Sequence, residues 1–222
     1  TEIYTLSLHD ALPIFKDLVE DAPLARKYQV DKVPGTVVLG KKDYGIRFYG
    51  ITAGYEFKSL IEAITMVATE TSGLPPEVEP LLKIIDVPVH LEIMVTLTCP
   101  YCPQMVHVAH QLAMANDNIR ADMVESSEFP QLVQRYRVSG VPRTVINEAP
   151  AFEGALPPLD AILGILKAVK PDVYSRIDEE MRKEAGERRV VEVGEDRLYD
   201  ILIIGAGPAA MSAAIYGIRK GL

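Results

Sequence analysis

Cys99 and Cys102 are the only cysteines in the chain, and they enclose Pro100-Tyr101 in a CxxC pattern. Ahead of them Leu91, Ile93, Val95 and Leu97 alternate as in a half-buried strand. Behind them Val106, Ala109 and Ala113 recur at helical spacing. Strand, CxxC, helix sets a dithiol at a helix start, where unpaired backbone N–H groups and the positive end of the dipole stabilise a thiolate. The thiolate is the reactive form of a cysteine, so Cys99 reads as an attacking sulfur and Cys102, deeper in the helix, as a resolving thiol. Pro100 suits the first helical turn, where a missing N–H costs nothing.

Two other readings compete. His107 and His110 follow the cysteines as if to complete a zinc site. At 100° per residue, however, His107 faces well away from Cys102, no further cysteine exists, and structural zinc wants four convergent ligands. Both histidines therefore read as helix-face residues, and no metal is assigned. The remaining alternative is a domain that only binds, against which the intact CxxC argues.

The 222 residues suffice for one to two domains with a sizeable core, and 48% hydrophobic with 24% charged residues is a soluble, globular composition. A net charge of −8 disfavours nucleic acid as a partner and supplies no basic patch for a membrane surface. No apolar run approaches the ~20 residues of a membrane span. With both cysteines in one CxxC there is no disulfide framework, which fits a reducing compartment and a cytoplasmic location.

An internal repeat organises the middle of the chain. Tyr28-x-Val30-x-x-Val33-Pro34-x-Thr36-Val37 recurs 108 residues later as Tyr136-x-Val138-x-x-Val141-Pro142-x-Thr144-Val145. Each copy has a short helical stretch before it (23–28; 129–136), then a strand, a turn with Gly50 or Gly154, and an amphipathic helix (55–67; 159–169). The second copy adds a strand at 89–97, a helix at 100–115 and a strand at 119–125. The cysteine that would match Cys99 in the first copy falls before Thr1, so that copy lacks its front half. Residues 1–14 fit no element and stay unassigned, and the run SLHDALPI resembles a translated sequencing adapter, a candidate non-native stretch.

Residues 171–197 turn polar and charge-rich, with Glu179, Arg182 and Lys183 spaced for pairs along an exposed helix. They read as a helical linker with a strand candidate at 190–193. From 198 an apolar strand runs into Gly205-Ala206-Gly207-Pro208-Ala209-Ala210 and a small-residue helix. The glycines permit a tight turn and close approach of a pyrophosphate to the helix N-terminus, and Ala210 takes the third small position. Leu222 stops before the acidic residue that would grip a ribose.

These residues carry a resemblance. TCPYCPQMVHVAHQLA (98–113), DMVESSEFPQLVQRYRVSGVPRTVIN (122–147) and ITAGYEFKSL (51–60) resemble the tandem-thioredoxin protein disulfide oxidoreductases and the N-terminal domain of the alkyl hydroperoxide reductase flavoprotein. YDILIIGAGPAAMSAAIYGIRKG (199–221) resembles the opening of thioredoxin reductase. The resemblance implies an α/β chain of two tandem thioredoxin-like folds and the first β-α of a Rossmann-type FAD-binding domain. The segments are 15–72 (partial first fold), 73–170 (second fold), 171–197 (linker) and 198–222 (start of the flavin domain). It implies FAD on Gly205, Gly207, Pro208, Ala209 and Ala210, and NAD(P)H bound by a domain outside this chain. Electrons would pass from nicotinamide through flavin and a further cysteine pair to Cys99 and Cys102, then to a protein disulfide on a thioredoxin-like protein or a peroxiredoxin. A homodimer is the implied full-length assembly.

In this fold a cis bond at Val141-Pro142 sets a backbone edge beside the dithiol, where a substrate strand can pair; Pro34 would repeat the geometry. Glu56 stands where the family places an acidic residue facing the dithiol, able to take a proton from the resolving thiol. Read alone, it is a first-turn glutamate favoured by the helix dipole. Glu92 is a second carboxylate candidate, or a solvent-facing strand residue. Pro100-Tyr101 departs from the histidine that peroxidase-reducing flavoproteins usually carry between their cysteines, which leaves general protein disulfides open. A flavin-free disulfide oxidase or isomerase is the alternative activity.

Overall fold

The computed structural model describes residues 2–7, 12–17 and 19–187. The chain divides into two compact units, Thr1–Asp178 and Glu179–Leu222. The strand candidate at 190–193 and the glycine-rich run with Gly205, Gly207, Pro208, Ala209 and Ala210 lie outside the described residues.

In the first unit, strands β1 (Glu2–Ser7), β2 (Leu12–Asp17), β3 (Gly35–Leu39), β4 (Asp43–Tyr49), β5 (Val89–Val95), β6 (Ile119–Glu125), β7 (Arg143–Ile146) and β8 (Ala149–Glu153) form one mixed sheet. Its order is β2-β1-β3-β4-β6-β5-β7-β8. The helices are α1 (Ala22–Lys27), α2 (Glu56–Thr69), α3 (Glu79–Leu82), α4 (Cys102–Ala115), α5 (Pro130–Arg135) and α6 (Pro158–Val169), followed by α7 (Pro171–Glu187), which continues into the second unit. Glu179 and Lys183 of α7 pair at 2.8 Å, the i,i+4 spacing expected of an exposed charged helix.

Alternation along β5 builds both faces of the sheet. Val89, Leu91, Ile93 and Val95 join the larger core, shared with α2, α4 and α6. Met94 joins the smaller one, with Tyr49, Val124, Val145 and the α1 and α5 segments. Each fully buried aliphatic side chain in these cores contributes about 2 kcal/mol. Flanked by α2 and α6 on the larger-core face, α4 is buried around most of its circumference, His110 included, although its sequence marks only one apolar stripe.

The repeat seen in the sequence is a repeat of backbone. Gln29 and Arg137 share a positive φ, +52° and +50°. Both Val33-Pro34 and Val141-Pro142 are cis. Pro34 O accepts from Gly50 N at 2.9 Å and Pro142 O from Gly154 N at 2.8 Å. The correspondence reaches back through β2, which holds the place in the sheet that β6 holds in the second copy, and breaks at β1. Residues 1–14, which the sequence left unassigned, supply β1 and part of β2, an antiparallel pair whose β1 runs parallel to β3. The matching β5 runs antiparallel to β7, so the front of the chain does not repeat the front of the second copy.

Polar residues buried on the smaller-core face cross between the halves. Asp122 of β6, with no exposed surface, accepts from His90 Nε2 at 2.7 Å and from Arg120 at 2.6 and 2.9 Å. Glu92 is also buried rather than solvent-facing: Tyr136 Oη donates to it at 2.6 Å and Lys32 Nζ lies 3.3 Å away. The first contact comes from the segment before cis-Pro142, the second from the segment before cis-Pro34. Glu92 therefore ties the two proline loops to the central strand.

Candidate active site

β5 ends at Val95, two residues short of the expected strand, and Thr96–Thr98 carry the chain to Cys99. The helix starts at Cys102 rather than Pro100, so Pro103 takes the first-turn place that suits a proline. Cys99 keeps 8% of its surface exposed and Cys102 none. The two are joined in a disulfide with Cα atoms 5.5 Å apart. The Cys102 N–H, unpaired within the helix, donates to Cys99 Sγ at 3.1 Å. A donor aimed at that sulfur stabilises the thiolate left when the disulfide opens. Tyr101, between the cysteines, is largely exposed.

Cys99 Sγ also lies 3.7 Å from the carbonyl of Val141, in the cis bond to Pro142. The less buried cysteine thus faces a proline loop, the arrangement in which an incoming extended segment can pair with backbone while presenting its own sulfur. Among the described residues no group of three or more His, Cys, Asp or Glu side chains converges as it would around a metal ion. His107 instead pairs with Glu62 at 3.4 Å. His110 packs edge-to-face on Phe48, 4.9 Å between centroids, and burial, with help from nearby His107, pushes its pKa down to about 3. It is a neutral core residue.

The start of α2 packs beside the start of α4. Tyr55 N donates to Leu97 O at 3.2 Å, two residues ahead of Cys99. A groove of about 740 Å³ runs between them, lined by Tyr55, Phe57, Pro100, Pro103, Gln104 and His107 among others. Gly54 makes the approach possible: its φ is +56° and a Cβ there would stand 2.5 Å from Leu97 O. Gly54→Ala is expected to cost about 1–3 kcal/mol, read as a lower urea midpoint, because both the left-handed backbone and the contact resist a side chain.

Glu56, the next-but-one residue, is fully buried. Its Oε2 accepts from Ser59 Oγ at 2.7 Å, while Oε1 has no hydrogen bond among the described residues. Burial raises its pKa to about 7, against a lowering by the Ser59 hydroxyl and with a small further rise from Glu62. Sequence reasoning singled out Glu56 but passed over Ser59. The available signal was its i+3 spacing on an otherwise apolar helix face.

Known proteins share this geometry. The thioredoxin domain family matches residues 89–167, from β5 through most of α6. The structure of the protein disulfide oxidoreductase of Aeropyrum pernix K1 is 30% identical, superposes with a TM-score of 0.64, and is matched over 69% of this chain and 67% of that one. This chain belongs to that thioredoxin-fold oxidoreductase family. The N-terminal domain of alkyl hydroperoxide reductase AhpF from Enterococcus faecalis V583 is similarly close, with 28% identity, a TM-score of 0.63, and coverage of 68% of this chain and 73% of that one. The corresponding alkyl hydroperoxide reductase AhpF of Pseudomonas putida is 29% identical over 81% of this chain. The chain spans about a third, 32%, of that relative's length. Among the described residues no helix is long and apolar enough to cross a membrane. The chain is a thioredoxin-like disulfide redox module related to the AhpF N-terminal domain.

Proposed function

We propose that the chain is the thiol–disulfide exchange module of a larger flavin-dependent disulfide reductase, passing electron pairs through Cys99 and Cys102 to a disulfide on a partner protein. The observation that carries this reading is Cys99: the less buried member of a disulfide, 3.7 Å from the Val141 carbonyl beside cis-Pro142. In the reduced module the Cys99 thiolate attacks a partner disulfide held against that loop and forms a mixed disulfide. Cys102 then attacks Cys99, releases the partner's second thiolate and restores the intramolecular bond. Glu56 takes the proton that Cys102 sheds, which its pKa of about 7 suits near neutral pH.

The repeated backbone around Pro34 and Pro142 supports two tandem thioredoxin-like units, with the dithiol in the second. The cis-Pro34 unit, without described cysteines, acts as scaffold. A linker at 171–197 and the opening of a flavin domain at 198–222 complete the assignment, which rests on the resemblance of the glycine-rich run. FAD bound at Gly205, Gly207, Pro208, Ala209 and Ala210 would supply electron pairs drawn from NAD(P)H. The partner is a thioredoxin-like protein or a peroxiredoxin, and Pro100-Tyr101 between the cysteines favours a broader choice of protein disulfides.

Two measurements test the module. The chain is expected to accelerate dithiothreitol-driven reduction of insulin disulfides above the reagent's own rate. Cys102→Ser is expected to stall with the substrate covalently held on Cys99, visible as a mass increase that excess thiol removes. No acceleration and no trapped species would overturn the reading.

A further inference from the structure

We propose that Ser59 is a positioning residue for the exchange reaction: its hydroxyl holds Oε2 of Glu56 and leaves Oε1 as the atom that receives the Cys102 proton. This rests on reading Glu56 as the proton acceptor. Ser59 and Glu56 lie three residues apart on α2, both buried, at 1% and 0% exposure, so water does not supply the contacts that a surface carboxylate would have. Ser59 has one hydroxyl hydrogen, and it goes to Oε2 at 2.7 Å. Oε1, buried and without a hydrogen bond among the described residues, is the costly end of the carboxylate, and a proton arriving there removes that cost.

The step balances. As the Cys102 sulfur bonds to Cys99, the bond from Cys99 to the partner's sulfur breaks, and the electron pair leaves on the partner as a thiolate. The dithiol is oxidised, the partner disulfide is reduced, and the Cys102 proton moves to Glu56 Oε1. A hydrogen bond to the charged form of a carboxyl favours that form. Ser59 thereby keeps Glu56 available as a base at a pH where burial by itself would hold it protonated. Among the described residues, the other charged group that bears on Glu56 is Glu62. Glu62, on the same helix, is paired with Lys58 at 3.4 Å and with His107 of α4 at 3.4 Å. The Thr96–Thr98 segment, which Tyr55 N contacts through Leu97 O, brings no charge.

The test is the pH dependence of disulfide reduction by the full chain, with kcat and KM separated. Ser59→Ala removes one atom and keeps a good helix former. It is expected to move the acid limb of kcat upward by about one pH unit with KM unchanged. Ser59→Thr, which keeps the hydroxyl, is expected to leave the limb in place, and Glu56→Gln to abolish it. An unmoved limb in Ser59→Ala, with the limb lost in Glu56→Gln, overturns the role of Ser59 and leaves Glu56 as the acceptor. A limb that survives Glu56→Gln belongs to another group and overturns both. The carboxyl infrared band of Glu56, followed through the same titration, reads the shift directly in each variant.

Discussion

Cys99→Ser is expected to bring insulin reduction down to the rate of dithiothreitol alone, a loss of at least about a thousand-fold in the enzyme's own contribution. Serine keeps nearly the same shape but is not ionised near neutral pH, so the nucleophile is lost while the packing is not. The expected contrast with Cys102→Ser is diagnostic. Cys102 has no exposed surface, so the variant should still accept one substrate on Cys99 and then stop. Cys99→Ser should accept none, and its urea midpoint, compared with that of the reduced wild-type chain, should move little. Equal loss in both variants with no trapped species would mean that the Cys99 sulfur is not the one that attacks.

Asp122→Ala is expected to be the most damaging single change to stability, at about 3 kcal/mol. The fully buried carboxylate neutralises Arg120 and accepts from His90. Removing it leaves a guanidinium and an imidazole N–H facing an empty polar site. Arg120 and His90 keep 17% and 29% side-chain exposure, so water recovers part of the loss, which is why the value is not larger. Urea unfolding should show a lower midpoint with an unchanged slope.

The same residue gives stability an acid dependence. Burial by itself opposes the charge on Asp122, but the His90 hydrogen bond and the Arg120 guanidinium hold its pKa well below the usual carboxylate range. Its stabilisation is therefore complete above the unfolded value of about 3.9 and is lost as pH falls toward the folded one. Glu56 acts in the opposite sense. Its folded pKa is raised to about 7, so the folded state binds the extra proton, and stability declines as pH rises from the unfolded value toward 7. Asp122→Asn should remove the acid dependence and Glu56→Gln the neutral one.

Much of this was legible in residue order, because its signals are local. A dithiol between an apolar strand and a helix needs only neighbouring residues to be recognised. The 108-residue repeat marks the two proline loops, since Val-Pro after a short helix is itself a local pattern. The helix boundaries moved by one or two residues, the margin over which caps compete; Pro103 and Pro100 are interchangeable on sequence grounds, and hydrogen bonding chose Pro103. Residues 1–14 show the limit from the other side. Their strands exist through pairing, β1 with β3 and β2 with β1, and no periodicity of their own announces it.

The sequence alone determined that one pair of sulfurs sits at a helix start and that the chain contains two related α/β segments, because spacing and alternation are properties of the chain. Only tertiary structure decided which groups those sulfurs meet. The Val141 carbonyl lies 42 residues from Cys99 and 3.7 Å from its sulfur. Glu92 is buried because Tyr136 and Lys32 reach it from both proline loops. Glu56 is a buried carboxyl rather than a surface first-turn glutamate because α2 closes against the segment leading to Cys99. The desolvation that sets its proton affinity depends on what packs around it in three dimensions, and no local pattern encodes that.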